Sequence, residues 1–191
     1  MSRKIFILTV FITFSHLLFA DCAKDGNINF LDENIICLNE KKIEVEEDRI
    51  NIYDCDDNDN YIMITSTREL YINNKLIKTD ETTKKVIEEY YKLVLEIRKG
   101  AIQIALEGAR LGIKGAQIGI VAVAKLPLLL LSDYDTDDYE KAIEKKAGRL
   151  EDDAKIIEKK GEELEALVDD LKYLEKKLRK KVEDINELNW F

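Results

Sequence analysis

Hydrophobic and polar residues follow three different periodicities along this chain, and each periodicity predicts a different kind of element. Between Asn34 and Ile77, apolar residues alternate with charged ones at a period of two, which is typical of strands with one buried face. The clearest run covers 70–77, where Asn73 and Asn74 separate two alternating segments and tolerate the positive φ of a tight turn. The sequence therefore predicts a small antiparallel sheet in this region.

After Lys78 the apolar residues recur at steps of three and four, which predicts a helix. Thr79 or Asp80 can cap its start, because a side-chain oxygen there accepts a hydrogen bond from an unpaired helical N–H group. The stretch 100–131 is apolar on almost all sides, so a helix there has to be buried in protein or in membrane. Its longest uncharged run, 115–124, is too short to span a membrane.

Four glycines lie along one stripe of that helix, at spacings of four, three and four residues: Gly108, Gly112, Gly115 and Gly119. Each interior glycine costs about 1 kcal/mol relative to alanine. A close approach of another backbone can offset that cost, as it does in small-xxx-small helix faces. We call these four residues the glycine seam and predict that they pack against another helix.

Heptad spacing of apolar residues then predicts a long helix from about Asp137 to Leu188, after an acidic turn at 132–138. A helix of about 50 residues would be about 75 Å long at 1.5 Å per residue. A compact protein of this size cannot bury that length alone, so we expect the helix to fold back near Gly148 or Gly161, or to pair with another chain. The predicted fold class is α+β, with a small N-terminal antiparallel sheet or hairpins followed by long helices that form a helical hairpin or a coiled-coil-like C-terminal region.

The N-terminal residues have the layout of a secretory signal peptide. Arg3 and Lys4 precede an apolar run over 5–19, which ends at Ala20 just before Asp21. A membrane-spanning helix needs about 20 apolar residues, so cleavage after Ala20 is favoured over an uncleaved anchor. The predicted organisation is a signal peptide at 1–20, a small antiparallel β domain at 21–78, an amphipathic and then glycine-rich apolar helix at 79–131, and a long heptad-patterned helix or helical hairpin at 132–191.

Composition narrows the range of chemistries. Removal of residues 1–20 leaves 28 basic and 39 acidic side chains, and this net charge of −11 disfavours nucleic acid, whose phosphates require clustered Lys and Arg. The same cleavage removes His16, which is the only histidine. Ser66 and Ser132 lie in no Gly-x-Ser-x-Gly turn, and the glycines form no phosphate-binding loop. We therefore expect a protein that is not an enzyme and that binds no cofactor.

The three cysteines that follow the signal peptide are Cys22, Cys37 and Cys55. In an oxidising compartment, three cysteines suggest one disulfide and one remaining thiol, and the sequence leaves the pairing open. Their spacings of 15 and 18 residues match no zinc motif.

One acidic segment has the spacing of a calcium loop. Asp133, Asp135, Asp137 and Glu144 occupy positions one, three, five and twelve of that loop, but Asp138 stands at position six, where the loop requires glycine. The favoured interpretation is an acidic helix start, in which the carboxylates face the positive end of the helix dipole. Calcium is the alternative.

Several short motifs between residues 34 and 125 occur in a characteristic order. The strand–turn–strand segment 63–77 precedes a polar helix start at 80–84, a tyrosine-containing stretch at 88–91 and a glycine-bearing stretch at 107–112. This order resembles the YggN-like family of uncharacterised periplasmic proteins, in which a turn containing Asn or Gly joins two such strands. The resemblance implies residence in the periplasm of a Gram-negative cell. It implies no activity and no site residues.

The functional expectation combines these observations. We expect an exported, non-enzymatic scaffold or protein-interaction module that packs or self-associates through the glycine seam or the C-terminal heptads. The alternative is a membrane-surface envelope protein whose apolar helix 100–131 lies in the lipid interface. The net charge of −11 opposes contact with anionic lipid, whereas residues 79–131 carry a net charge of +2 and favour it. Calcium binding at 133–144 is a lesser alternative.

Overall fold

The computed structural model describes residues 29–32, 34–38, 41–55, 59–125 and 136–191. The predicted signal peptide at 1–20 lies outside the described residues. Contacts within the chain define two compact units. Unit 1 contains the described residues of 29–99 and 167–191, and unit 2 contains the described residues of 100–166.

Unit 1 contains a seven-stranded antiparallel sheet in which every strand pairs with its neighbours in sequence. Antiparallel neighbours need only short connections, and the short alternating segments of this sequence provide them. The strands are β1 (Asn29–Asp32), β2 (Ile35–Leu38), β3 (Lys41–Val45), β4 (Arg49–Asp54), β5 (Tyr61–Thr65), β6 (Leu70–Ile72) and β7 (Lys75–Ile77). The α+β class predicted from the sequence is confirmed by this sheet and the two long helices that follow it.

One face of the sheet is built from rows of β-branched residues. The pairing register places Ile36, Ile43, Ile52, Ile62 and Ile72 side by side on β2 to β6. All five side chains are at most 9% exposed. Cross-strand pairs of this kind are the main source of side-chain stabilisation in a sheet. The period of two in the sequence therefore corresponds to a real difference between a buried and a more exposed face.

The predicted tight turn at Asn73 and Asn74 is confirmed. Both residues have positive φ, 48° and 65°, and they join β6 to β7 with Leu70 opposite Ile77. The main-chain N–H of Tyr61 on β5 donates to the Asn73 side-chain oxygen at 2.9 Å. Asparagine tolerates this left-handed conformation and its side chain fixes the turn against the neighbouring strand.

Two long helices follow the sheet: α1 (Glu81–Lys125) and α2 (Thr136–Lys181), the latter followed by a 3-10 helix (Glu183–Glu187). The expectation that α2 folds back near Gly148 or Gly161 is wrong, because α2 is continuous through both glycines. A single helical glycine costs only about 1 kcal/mol, which packing can offset. The regular α-helix also ends at Lys181, earlier than the predicted Leu188.

The two helices run antiparallel, and α1 supplies the helical neighbour that α2 requires. Within unit 1, the Lys181 amine donates to the Thr82 hydroxyl at 2.9 Å, so the start of α1 lies beside the end of α2. Within unit 2, the Lys114 amine lies 2.7 Å from the Asp153 carboxylate. The helical hairpin is thus formed between α1 and α2 and does not require a bend inside α2.

The core of unit 1 lies between the buried sheet face and the helices. Leu171 and Leu178 of α2 are at most 1% exposed, and Ile87 and Tyr90 of α1 are fully buried. Burial of such a side chain contributes roughly 1.5–3 kcal/mol. The core is completed by apolar residues of the helices and the C-terminal segment: Val86, Val94, Ile97, Val168, Leu174, Val182, Ile185, Leu188 and Phe191.

Asp80 caps the first turn of α1. Its carboxylate accepts hydrogen bonds from the Thr83 main-chain N–H at 2.7 Å and from the Thr82 hydroxyl at 3.0 Å. The hydrogen bonds from Thr83 and Thr82 lower the pKa of Asp80 to about 2. The sequence predicted a cap at Thr79 or Asp80, and Asp80 is the residue that makes the capping contacts.

The cap predicts a specific acid dependence of stability. A carboxyl whose folded pKa is depressed contributes stability above its unfolded pKa, and that contribution is lost as the pH falls through the folded value. We expect Asp80→Asn to keep the cap but to remove this dependence, since asparagine caps helices about as well as aspartate. Urea unfolding from about pH 5 to about pH 2 should show the wild type losing its advantage over the variant. Parallel pH curves for the two proteins would contradict the assignment.

Candidate functional site

The glycine seam is only partly enclosed in unit 2. Gly108 is buried, Gly112 and Gly115 are half-buried, and Gly119 is exposed. Apart from its two chain neighbours and the nearby backbone of α1, a Cβ atom added at Gly112 or Gly119 would meet no described atom within 4 Å. The glycine that needs its small size for contact with α2 is Gly100, where a Cβ would lie 3.2 Å from Leu164. Gly112 and Gly119 are therefore open to a partner outside the chain.

The cysteines predicted to form a disulfide occupy different strands. Cys37 is buried on β2, and Cys55 is half-buried directly after β4, whereas Cys22 lies outside the described residues. Strand β3 separates β2 from β4, and adjacent strands are about 4.8 Å apart, so Cys37 and Cys55 are roughly 10 Å apart at the backbone. A disulfide requires Cα atoms within about 7 Å. This sheet excludes a bridge between Cys37 and Cys55.

The candidate calcium ligands are only partly described. Asp133 and Asp135 lie outside the described residues, while Asp137 and Glu144 both belong to α2, whose helix begins at Thr136. A calcium loop with ligands at positions one to twelve requires a bent backbone where α2 is helical. Among the residues that the structure describes, no cluster of three potential ligands could hold a metal ion.

A buried ionic group inside unit 1 is the strongest titratable site that the sequence analysis missed. The Lys41 amine on β3 lies 2.5 Å from the Glu175 carboxylate on α2, and the Tyr90 hydroxyl on α1 donates to the same carboxylate at 3.2 Å. Lys41 is 6% exposed and Glu175 is 9% exposed, while Tyr90 is fully buried. We call these three residues the buried cluster.

The electrostatics of the buried cluster follow from its burial. Desolvation lowers the pKa of the Lys41 amine, while the charge and hydrogen bond of Glu175 act in the opposite direction. Desolvation, followed by the charge of Glu175, raises the pKa of Tyr90 well above its usual value. Because shifted pKa values are common at functional sites, these shifts make the buried cluster a candidate active site.

The surroundings of the buried cluster favour a structural role. The Phe191 ring covers the Lys41 amine at 4.7 Å and lies 6.1 Å from the Tyr90 ring. Arg179 donates through Nε to the Phe191 main-chain oxygen at 2.9 Å, which holds this aromatic residue in place. An amine, a carboxylate and a phenol could exchange a proton, but Phe191 closes the group from the solvent side. All four side chains are at most 9% exposed, and the arrangement joins β3, α1 and α2.

Two sequence signals could have located the buried cluster. Lys41 stands in the alternating series that includes Ile43 and Val45, and Glu175 stands in the heptad series between Leu171 and Leu178. A charged residue at a core position of two different elements predicts that the two charges meet. Tyr90 gave no such signal, because a tyrosine in an apolar series is common.

The second candidate site is an exposed apolar face on α1 in unit 2. Leu106, Ile113 and Ile120 recur at steps of seven residues and are 56%, 61% and 68% exposed. Small residues lie on one side of this row, and the exposed Arg110 and Gln117 lie on the other. We define the apolar face as Ile102, Ala105, Leu106, Ala109, Gly112, Ile113, Ala116, Gly119 and Ile120.

Charged residues lie at the edge of the apolar face and are paired with α2. The Lys160 amine contacts the two Glu107 carboxylate oxygens at 2.6 and 2.8 Å, and Lys114 binds Asp153 at 2.7 Å. The hydrogen bond from Lys160 lowers the pKa of Glu107. The apolar face itself carries no ionisable side chain. Arg110 is also exposed at this edge, beside Leu106 and Ile113, and its charge acts on Glu107. The surface is therefore apolar, and acidic side chains offset the basic ones at its edge.

A surface cleft of about 800 Å³ adjoins one end of the apolar face. Its lining combines apolar, basic and acidic side chains: Lys114, Gln117, Ile118, Ile120, Val121, Lys146, Arg149, Leu150, Asp152 and Asp153. A catalytic site requires a nucleophile or an acid–base pair aimed at a common point. The cleft lining has surface charges, including the pair Lys114 and Asp153, but no such arrangement. We therefore regard the cleft as a continuation of the apolar face.

The structural role of the buried cluster predicts non-additive mutant stabilities. Glu175→Leu should lower the free energy of unfolding by about 3–5 kcal/mol, because it leaves the Lys41 charge buried without its partner. The double variant Lys41→Met/Glu175→Leu should recover most of that loss, since apolar residues of similar volume replace a buried ion pair at little cost. Urea unfolding of the single and double variants measures both values. Additive losses would contradict a structural ion pair.

The sheet geometry also predicts the disulfide pairing. Asn29 of β1 pairs with Cys37 on β2, whereas β3 separates Cys37 from β4, after which Cys55 lies. We therefore expect a bridge from Cys22 to Cys37. Peptide mapping of the unreduced exported protein should recover this link, and Cys37→Ser should cost about 2–5 kcal/mol of stability. Cys55→Ser is the matched control that should keep the link, and a linked peptide that contains Cys55 would refute the pairing.

Comparisons with known proteins supply no family for this chain. Neither a protein-family model, nor a curated protein, nor a solved structure matches it. The resemblance to the YggN-like family therefore stays a prediction from the motifs at 63–112. Within the part of the chain that the structure describes, no helix combines the length and the apolar character needed to cross a membrane.

Proposed function

We propose that this protein is an exported, non-enzymatic interaction module whose binding surface is the apolar face of unit 2. The observation that carries the proposal is the exposure of Leu106, Ile113 and Ile120 on one side of α1. Exposed apolar residues scattered singly are ordinary, but a contiguous apolar patch usually marks an interaction site. Here the patch is contiguous over about five helical turns, from Ile102 to Ile120.

The pattern of burial in unit 2 supports this role. Helix α2 covers one side of α1, where Ala101 is 3% exposed and Leu164 is 8% exposed. It leaves the side with Ile113 and Ile120 uncovered. An isolated helix that is apolar all round is stable in water only when its remaining apolar side is covered. A partner that covers the apolar face would meet this requirement.

The absence of an open catalytic arrangement among the described residues supports a non-enzymatic role. The buried cluster, in which burial shifts the pKa values of Lys41 and Tyr90, is covered by Phe191 and joins three elements of the core. The lesser alternative of calcium binding at 133–144 remains a prediction that this proposal does not require.

The export part of the proposal is supported by the N-terminal sequence. Arg3, Lys4 and the apolar run 5–19 before Ala20 have the layout of a signal peptide. The motif resemblance favours the periplasm as the destination. An oxidising compartment would also permit the proposed link between Cys22 and Cys37.

The alternative function is attachment to a membrane surface through the same part of α1. Its support is the apolar character of residues 100–125, whose ionisable side chains are Glu107, Arg110, Lys114 and Lys125. Binding to anionic lipid depends on a basic rim around the apolar side of such a helix. Lys114 is paired with Asp153, and the charge of the exposed Arg110 acts on Glu107 at the same edge. The basic rim is therefore weak, and we favour a protein partner.

Site-specific photo-cross-linking in the exporting cell tests the proposed function. A cross-linker at Ala116 should form a protein adduct, whereas one at the exposed Glu151 on α2 should not. Ile113→Asp combined with Ile120→Asp should lower the Ala116 adduct by at least about tenfold, because two charges oppose burial of the face. The melting temperature should change little, since both isoleucines are more than 60% exposed. Equal adducts at Ala116 and Glu151 would contradict the proposal.

A further inference from the structure

We infer that the partner of the apolar face is a second copy of this chain, bound through the same face. The inference rests on the proposed function and adds the identity of the partner. In a two-fold symmetric dimer, one surface meets an identical surface, so it must supply both the projecting and the receiving parts of the contact. The apolar face of α1 supplies both.

The projecting and receiving parts alternate along the face. Leu106, Ile113 and Ile120 project at heptad steps, which are the steps that align side chains along a helix–helix contact. Gly112 and Gly119 directly precede Ile113 and Ile120, and apart from neighbouring residues of α1 itself no described atom lies within 4 Å of the position that a Cβ would occupy. Helix packing places such side chains in the depressions of a facing helix. Two copies of α1 can therefore interlock without any rearrangement of unit 2.

The extent of the face matches the requirement for a specific dimer. From Ile102 to Ile120, α1 is about 28 Å long at 1.5 Å per residue, with a diameter of about 11 Å. Half of the side wall of such a cylinder is roughly 500 Å², so two copies would bury about 1,000 Å² in total. Specific interfaces begin at about this size, whereas most non-specific contacts are smaller.

The charges around the face favour a second copy over a lipid surface. The face contains no ionisable side chain, and the exposed Arg110 beside it lies close enough to Glu107 for its charge to act on that carboxylate. At its edge, Lys114 is bound to Asp153 and Glu107 to Lys160, both within unit 2. Binding to an anionic membrane depends on basic side chains around the face, and here Asp153 and Glu107 offset the basic side chains at the edge.

Glycine substitutions distinguish a second copy of the chain from a lipid surface as the occupant of the apolar face. We expect the full exported chain to sediment as a dimer at micromolar concentration. Gly119→Leu should raise the dissociation constant of the dimer by at least about tenfold, because leucine fills the depression that receives the facing isoleucine. Gly112→Leu should act in the same way. Gly148→Leu on α2 is the matched control, since this helical glycine also has no atom within 4 Å of a Cβ position. It should leave the dimer intact.

The glycine variants also report on folding. Leucine favours helix over glycine, so Gly119→Leu should keep or raise the melting temperature of the chain. A monomer that melts no lower than the wild type would therefore locate the effect in the interface. A wild-type chain that sediments as a monomer, or a dimer that is unchanged by Gly112→Leu and Gly119→Leu, would overturn the inference.

Two further outcomes distinguish failure of the inference from failure of the proposed function. In a flotation experiment, the wild-type protein should not move upward together with vesicles of phosphatidylethanolamine and phosphatidylglycerol. Flotation that increases in Gly119→Leu would identify lipid as the occupant and would overturn both proposals. A monomeric wild type whose Ala116 adduct contains another protein would overturn the dimer and would leave the interaction module standing.

Discussion

The fold depends on one constraint, which is that the isoleucine face of the sheet has to be covered. An antiparallel meander pairs all its internal strands by short connections, but it leaves one apolar face toward the core and cannot cover that face by itself. In unit 1, the first turns of α1 and the last turns of α2 provide the cover, with Ile87 and Leu178 fully buried. The cap at Asp80 and the turn at Asn73–Asn74 set where the sheet ends and the first covering helix begins.

The buried cluster is the polar exception in that core. Lys41 occupies a position that the strand pattern assigns to the buried face, and its amine is neutralised by Glu175 from α2 and shielded by Phe191. Such pairs contribute little net stability, because the cost of removing two charges from water offsets their attraction. They do restrict the alternatives, since any shift of α2 along the sheet would separate Glu175 from Lys41. The pair therefore sets the register between helix and sheet more than it stabilises the fold.

The elements that local patterns control could be predicted from the sequence. The period of two located the strands between 34 and 77, and the Asn73–Asn74 turn followed from the tolerance of asparagine for positive φ. Whether α2 stays straight or folds back on itself could not be predicted in the same way. Its heptads showed that it needs a neighbour, but whether that neighbour is α1, another chain or α2 itself depends on tertiary packing. Gly148 and Gly161 suggested a bend, but α2 is continuous through both residues because packing against α1 offsets the cost of helical glycines.

The candidate site was predictable only in part, and the reason lies in the distribution of apolar residues around α1. The spacing of the glycine seam indicated close packing, yet spacing alone cannot say which side of a helix meets a neighbour inside the chain. The structure separates the two sides: Gly100 packs against Leu164, while Gly112 and Gly119 remain open.

A helix that only had to pack on α2 would need one apolar stripe, with polar residues opposite it. Helix α1 instead carries isoleucines on the side away from α2, at the heptad steps that helix–helix contacts require. Within unit 2, packing against α2 does not explain these residues. An apolar surface of this regularity is costly to leave in water, and the contact that we propose with a second chain would remove that cost.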